Sequence, residues 1–258
     1  MSSGGSATDT ATPRGSFVPP ATTPGTLPVV ELFHSIQGEG SRTGEPSTFI
    51  RLAGCNLRCT WCDTPYSWSS EGVKAAEHVR LDELADRVTE RAVVLTGGEP
   101  MLHRRRLPAL IAALRERGVE HVTVETNATI YDPALAHDVD LWSLSPKLPG
   151  SGEGADAEVI GQYLRGASDR VQLKFVVTEE QDLDAMWSLL EQVGEPLPAS
   201  GVLVQPDGRR EDYGQVLRVL AQQVLDDDGQ WRGVPRRSLT RVMAQVHRVA
   251  WGAAARGV

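Results

Sequence analysis

Cysteine is scarce in this chain. Its 258 residues hold three, an odd number that cannot make a disulfide framework and is one short of a closed tetrahedral zinc site. Positive charge is also short, with Lys and Arg at 26 against Asp and Glu at 34, a net charge of −8. That balance argues against a broad nucleic-acid-binding face, which needs clustered cations against phosphate, and points to a small substrate. No apolar run approaches the ~20 residues that cross a bilayer. The leading stretch MSSGGSATDTATPRGSFVPPATTPGTLP lacks the basic and apolar regions of a secretory signal. Its Gly, Ser, Thr, Ala and Pro cannot bury a core, so residues 1–27 are expected to be a disordered tail before one catalytic domain over 28–258. Free thiols without an export signal predict a cytoplasmic location.

What is present is a repeating pattern. Residues 29–37 (VVELFHSIQ) predict a strand, and GEGSRTGEPS after it a glycine-rich loop. Short apolar or β-branched runs then recur at 48–53 (TFIRLA), 92–96 (AVVLT), 121–126 (HVTVET), 141–145 (LWSLS), 171–177 (VQLKFVV) and 201–205 (GVLVQ). Helical spacing lies between most of them, over 107–117, 182–193 and 213–224, and a helix opens at Leu81 with Asp82 as its expected cap. Strands alternating with helices pair in parallel through βαβ crossovers. Six of them predict an α/β fold, a partial (β/α)6-type barrel with an N-terminal strand extension and a C-terminal cap over 231–251. A doubly wound open sheet is the alternative, weakened by the lack of a GxGxxG after the first strand. In either fold, chemistry gathers at the carboxyl ends of the strands. There stand Cys55, the TGGEP at 96–100, Glu125 and Asn127, Ser145-Pro146-Lys147 and Gln205-Pro206-Asp207.

All three cysteines fall in GCNLRCTWCDTPYSW at 54–68, spaced C-x3-C-x2-C as Cys55, Cys59 and Cys62. A [4Fe–4S] cube has four irons, and three short-spaced thiolates can hold three of them. The fourth iron keeps a position open, as catalytic metal sites do and structural sites do not. Two plainer readings compete with this. A zinc site could recruit His34 or His103, or the thiols could simply be packed.

With these motifs in place, the chain resembles the radical S-adenosylmethionine superfamily, in which the C-x3-C-x2-C loop follows the first strand of a partial barrel. The stretches SIQGEG, CDTPYSW, TGGEP, VETNAT, SLSPK, VQPDG and the terminal QVHRVAWGAAARGV further resemble the 7-carboxy-7-deazaguanine synthase family, from about residue 30 to 258. The resemblance implies a [4Fe–4S] cluster on Cys55, Cys59 and Cys62, with S-adenosylmethionine on its open iron as the source of a 5′-deoxyadenosyl radical. It implies a lyase of queuosine-type 7-deazapurine biosynthesis, contracting the ring of 6-carboxy-5,6,7,8-tetrahydropterin with loss of ammonia. Ile36, Gln37, Gly38, Arg51 and Thr96 would bind substrate. Gly98, Ser145, Pro146, Lys147, Gln205, Pro206 and Asp207 would bind S-adenosylmethionine, and Thr64 would bind Mg²⁺.

Each assignment has a plainer counterpart: a turn for Gln37-Gly38, a cross-strand ion pair for Arg51, an Asx-turn for Asp63, a strand-end turn for Glu125 and Asn127. The resemblance also implies a homodimer and an electron donor such as flavodoxin. A glycyl-radical-enzyme activase and an inert iron–sulfur or zinc module remain as alternatives. Two departures stand out. Ala128 occupies a position where the family often has glycine, which is expected only to stiffen the loop. The end of the chain, through Gln245, His247 and Trp251 to Val258, leaves open which C-terminal group meets the pterin.

Overall fold

The computed structural model describes residues 24–253 and 255–257. β1 (Thr26–Ile36) and β2 (Pro46–Leu52) form an antiparallel ribbon, with Val29 opposite Leu52 and Ile36 opposite Pro46. α1 (Ser70–Ala75) is capped by the Ser69 hydroxyl, which accepts from Gly72 N–H, and leads into β3 (Glu77–Arg80) on the outer edge of β1. The alternating part then runs α2 (Leu81–Asp86), β4 (Ala92–Gly97), α3 (Leu107–Glu116), β5 (His121–Thr126) and β6 (Leu141–Leu144). It continues with α4 (Ala157–Gly166), β7 (Val171–Val177), α5 (Gln181–Val193), β8 (Val202–Pro206) and α6 (Tyr213–Asp226). A small hairpin of β9 (Gln230–Trp231) and β10 (Val234–Pro235) precedes α7 (Arg236–Leu239), β11 (Thr240–Val242) and α8 (Val246–Trp251).

Nine strands make one sheet in the order β11-β8-β7-β6-β5-β4-β2-β1-β3, parallel from β2 through β11. From β2 to β8 the parallel strands follow chain order without reversal. A doubly wound sheet must reverse once, at its switch point, so that alternative fails. Its two edges, β3 and β11, do not pair among the described residues, and the sheet is an open partial barrel. The six expected parallel strands are β2, β4, β5, β6, β7 and β8. The C-terminal cap contributes a seventh, β11.

The two faces of the sheet differ in kind. Ile50, Leu52, Val93, Leu95, Val122, Val124, Trp142, Leu144, Leu173 and Phe175 pack with Leu110, Leu114, Ile160, Tyr163, Met186 and Leu190 from the covering helices. Their strand neighbours one position on, among them Arg51, Thr96, Glu125 and Lys174, face the bore instead. This is the period-2 alternation of a strand, used to separate a helix-packed core from a polar interior.

Several expectations need correction. Asp82 does not cap α2: the cap position is Arg80, and the Asp82 carboxylate takes a hydrogen bond from its guanidinium at 2.8 Å. The tail cannot reach residue 27, because Thr26 and Leu27 already belong to β1 and Leu27 has no exposed surface. Residues 1–23 of that expected tail, and Val258, lie outside the described residues. α4 was not anticipated. Its two glycines weaken the helical signal, but Asp156 caps it through Glu158 and Val159 N–H and its Ile160, Tyr163 and Leu164 are buried. No helix among the described residues is long and apolar enough to cross a membrane.

Candidate active site

The cysteine loop leaves β2 at the carboxyl end of the sheet. Cys55, Cys59 and Cys62 are all unbridged and all line one cavity of about 230 Å³. Leu57 N–H donates to Cys55 Sγ at 3.4 Å, and the Trp68 indole N–H to Cys62 Sγ at 3.2 Å. Burial pushes the Cys55 thiol up to about 12 and the Cys59 thiol above its ordinary value. The loop lies tight against the end of β4. A Cβ on Gly98 would sit 2.1 Å from the Gly54 carbonyl oxygen and 2.9 Å from Cys55 Cβ, so only glycine fits there. On its far side, Arg209 bonds the Thr60 carbonyl at 3.1 Å while its own Nη2 pairs with Asp207 at 3.0 Å.

The floor comes from the other end of the strands. Because β1 runs antiparallel to β2, the segment 37–45 starts at the amino ends of the parallel strands and folds inward. Gln172 of β7 accepts from Ser41 N–H at 2.9 Å, and Lys174 of β7 forms an ion pair with Glu39. Glu39 also accepts from Gln245 Nε2 at 2.6 Å. Lys174 lies 3.9 Å from Glu125, whose two oxygens take Gln37 Nε2 at 3.3 Å and Thr96 Oγ1 at 3.2 Å. Burial would raise the Glu39 carboxyl, but the Lys174 ammonium and His247 outweigh it and lower it to about 2. Burial likewise opposes the Lys174 charge, and Glu39 and Glu125 keep it above the usual lysine range.

At the mouth, Arg51 does make the cross-strand ion pair, Nε to Glu31 Oε1 at 2.5 Å, with the Tyr66 hydroxyl on the same oxygen at 2.8 Å. It nevertheless lines the cavity beside Asp63 and Thr64. A second recess of about 320 Å³ shares Arg51, Thr64, Gln245 and His247 with it and is also lined by Gly252, Ala253, Ala255, Arg256 and Gly257.

Of the residues expected in the site, Ile36, Gln37, Gly38, Arg51, Cys55, Cys59, Cys62, Thr64, Thr96, Gly98, Ser145, Lys147, Gln205 and Asp207 all line the cavity. Pro146 and Pro206 are buried at strand ends and do not. Glu125 and Asn127 line it too, and Asn127 also serves as a strand-end turn, its Oδ1 accepting from Thr129. His103 is buried on the Ala53 carbonyl and His34 sits by Thr48, so neither reaches the thiols. Among the described residues no three His, Cys, Asp or Glu converge on a single ion, as a zinc site requires. Glu39 and Lys174 were missed. The signal available was Gln172 and Lys174 two apart in an otherwise apolar strand, which marks one polar face.

Residues 49–144 match the Radical SAM superfamily. A 7-carboxy-7-deazaguanine synthase of Hyperthermus butylicus is 41% identical over 185 residues, 70% of this chain and 77% of that one. One from Pyrobaculum aerophilum is 36% identical over 229 residues, 87% of this chain and 94% of the relative. The chain belongs to the 7-carboxy-7-deazaguanine synthase family. Its fold is also similar to the crystal structure of QueE from Escherichia coli, with a TM-score of 0.57 at 27% identity, covering 76% of this chain and 91% of that one. Neither the activase nor the inert-module alternative is favoured by these relatives.

Seen as a 7-carboxy-7-deazaguanine synthase family member, the chain has a lining that fits the family's cofactors. Three unbridged thiols on one loop, with N–H donors at the sulfurs of Cys55 and Cys62, suit a cube that meets each ligand at a different corner. Among the described residues, Gln205 Oε1, Gln245 Oε1 and Trp61 Nε1 are buried without a hydrogen-bond partner, and all three residues line the cavity. Buried polar atoms are rarely left so, which marks places for a polar ligand. One expectation fails here. Ala128 does more than stiffen its loop, because its φ of 59° lies in the left-handed region. A non-glycine residue there costs about 1–2 kcal/mol, held in place by Thr126 Oγ1 accepting from its N–H at 3.2 Å.

Proposed function

We propose that this chain converts 6-carboxy-5,6,7,8-tetrahydropterin to 7-carboxy-7-deazaguanine, a ring contraction that expels ammonia. The observation that carries this reading is the union, in one cavity, of three unbridged thiols with a floor of paired donors and acceptors. When bound, the cluster and S-adenosylmethionine supply one-electron chemistry able to remove hydrogen from a carbon. Cys55, Cys59 and Cys62 would hold the cluster. Gly98, Ser145, Lys147, Gln205 and Asp207 would hold S-adenosylmethionine, with Pro146 and Pro206 shaping the loops that present them.

The chain's own groups bind and orient the pterin. A pterin edge carries alternating donors and acceptors, matched by Gln37, Thr96 and the Glu125 carboxylate, with backbone groups of Ile36 and Gly38 beside them. Arg51 and a Mg²⁺ ion on Thr64 would take the substrate carboxylate; Mg²⁺ favours such hard oxygen shells, completed by water. A flavodoxin-type electron donor, a homodimer and a cytoplasmic location complete the proposal, supported by the family relation and the free thiols.

Equilibrium dialysis of the cluster-loaded protein with S-adenosylmethionine and Mg²⁺ tests the substrate class. The carboxylated tetrahydropterin should bind at least about tenfold more tightly than the same pterin without its carboxylate, a difference of 1.4 kcal/mol. Thr64→Ala should lose most of that preference. Equal affinity for the two pterins in the wild type would contradict the proposal.

A further inference from the structure

Asp182, near the start of α5, is a buried carboxylate with no exposed surface and no part in the site described above. Its Oδ2 accepts from Thr178 N–H at 2.9 Å, the Thr178 hydroxyl at 3.0 Å and Glu179 N–H at 3.2 Å. Those bonds shape the turn before its own helix. Its Oδ1 reaches elsewhere, accepting from Gly150 N–H at 3.1 Å in the 3-10 turn Pro149–Ser151. The approach is close. A Cβ on Gly150 would lie 2.1 Å from Thr178 Oγ1 and 2.6 Å from Asp182 Oδ2, so no side chain fits between them.

The other side of that turn faces the cysteine loop. Ser151 O accepts from Thr60 N–H at 2.9 Å, Gly150 O from the Thr60 hydroxyl at 3.3 Å, and Glu153 Oε1 from Arg58 N–H at 2.8 Å. Arg58 and Thr60 are the two neighbours of Cys59. Leu57 N–H reaches Cys55 and the Trp68 indole reaches Cys62 at sulfur, and Cys59 is held through the residues on either side of it. Hydrogen bonds to a carboxylate are roughly twice as strong as neutral ones, so the anchor is the firm end of this chain of contacts.

We infer that residues 149–153 form a clamp that holds the middle cysteine in register, and that Asp182 is its anchor, a positioning residue for the cluster-binding loop. The inference rests on reading the three cysteines as cluster ligands. Loops with few regular backbone bonds open locally at low cost, and release of a ligating thiolate begins with such an opening.

Two readouts test it. In cluster-free protein, amide exchange at Arg58 and Thr60 should rise about tenfold in Asp182→Asn, since one carboxylate oxygen becomes a donor facing N–H groups. In cluster-loaded protein, iron release to a chelator should accelerate by a similar factor. Glu153→Ala removes the acceptor of Arg58 N–H at a partly exposed position and should speed both by roughly threefold. Leu189→Ala, a core change on the same helix, should lower Tm without changing either rate at temperatures where the fold is intact. Wild-type rates in both Asp182→Asn and Glu153→Ala would overturn the clamp. So would equal acceleration by Leu189→Ala at a matched loss of Tm. Exchange is read without the cluster, so it decides the clamp even for a chain that takes up no iron, a result that would count against the proposed function instead.

Discussion

At Lys174 a buried ammonium meets Glu39 directly and Glu125 at 3.9 Å. Removing one partner of a buried pair leaves the other charge uncompensated, at a cost of about 3–5 kcal/mol. Lys174→Met should therefore destabilise by about that much, and adding Glu39→Gln should recover most of the loss in a double-mutant cycle. No recovery would mean that the two charges are not coupled. The pH dependence follows with a definite sign. Glu39 has an ordinary value of 4.5 and is lowered to about 2 when folded, so its contribution is present above 4.5 and is lost as pH falls toward 2. Acid denaturation of Glu39→Gln should lack that part of the slope. At this scale the sequence was most legible where a residue's type has few other uses. Three clustered thiols were. Glu39 and Lys174 were not, because they lie 135 positions apart: the polar alternation of Gln172 and Lys174 marks a face of the strand but not the partner it meets.

Among the elements, the parallel strands were legible because β-branched runs in βαβ spacing have few other solutions. Their order followed, since consecutive units wind in one direction. Two kinds of element escaped. β3 has four residues with one buried side chain, and α4 carries glycines that propensity counts against it; both are fixed by tertiary packing. The inward path of 37–45 escaped as well. Its destination depends on β1 being antiparallel to β2, which the stretch itself does not reveal. The junction of β4 with the cysteine loop depends on the missing side chain of Gly98. Gly98→Ala places a Cβ 2.1 Å from a backbone oxygen that has no flexible end to move. Overpacking of this kind costs about 1–3 kcal/mol, and the strand end and cysteine loop must separate to relieve it. A lower Tm together with a lower iron content after anaerobic reconstitution is expected. Full iron content at wild-type Tm would show that the junction gives way more easily than its packing implies.

For the whole molecule, the open sheet divides the labour between its ends. The carboxyl end supplies the thiols and the loops around them, as parallel α/β folds do. The amino end supplies the segment 37–45, which closes the bore and brings Gln37 and Glu39 to meet Lys174, Glu125 and Gln245. Neither end alone makes a site, and a net charge of −8 is no obstacle, since the cations that matter are single and placed. The measurement closest to the central claim is anaerobic turnover of the reconstituted protein with S-adenosylmethionine, Mg²⁺, a reductant and 6-carboxy-5,6,7,8-tetrahydropterin. 7-Carboxy-7-deazaguanine should form with one ammonia per product, and both should be lost with any of Cys55→Ala, Cys59→Ala or Cys62→Ala. A fully iron-loaded protein that leaves the pterin unchanged, or a cysteine variant that turns over at the wild-type rate, would contradict the claim.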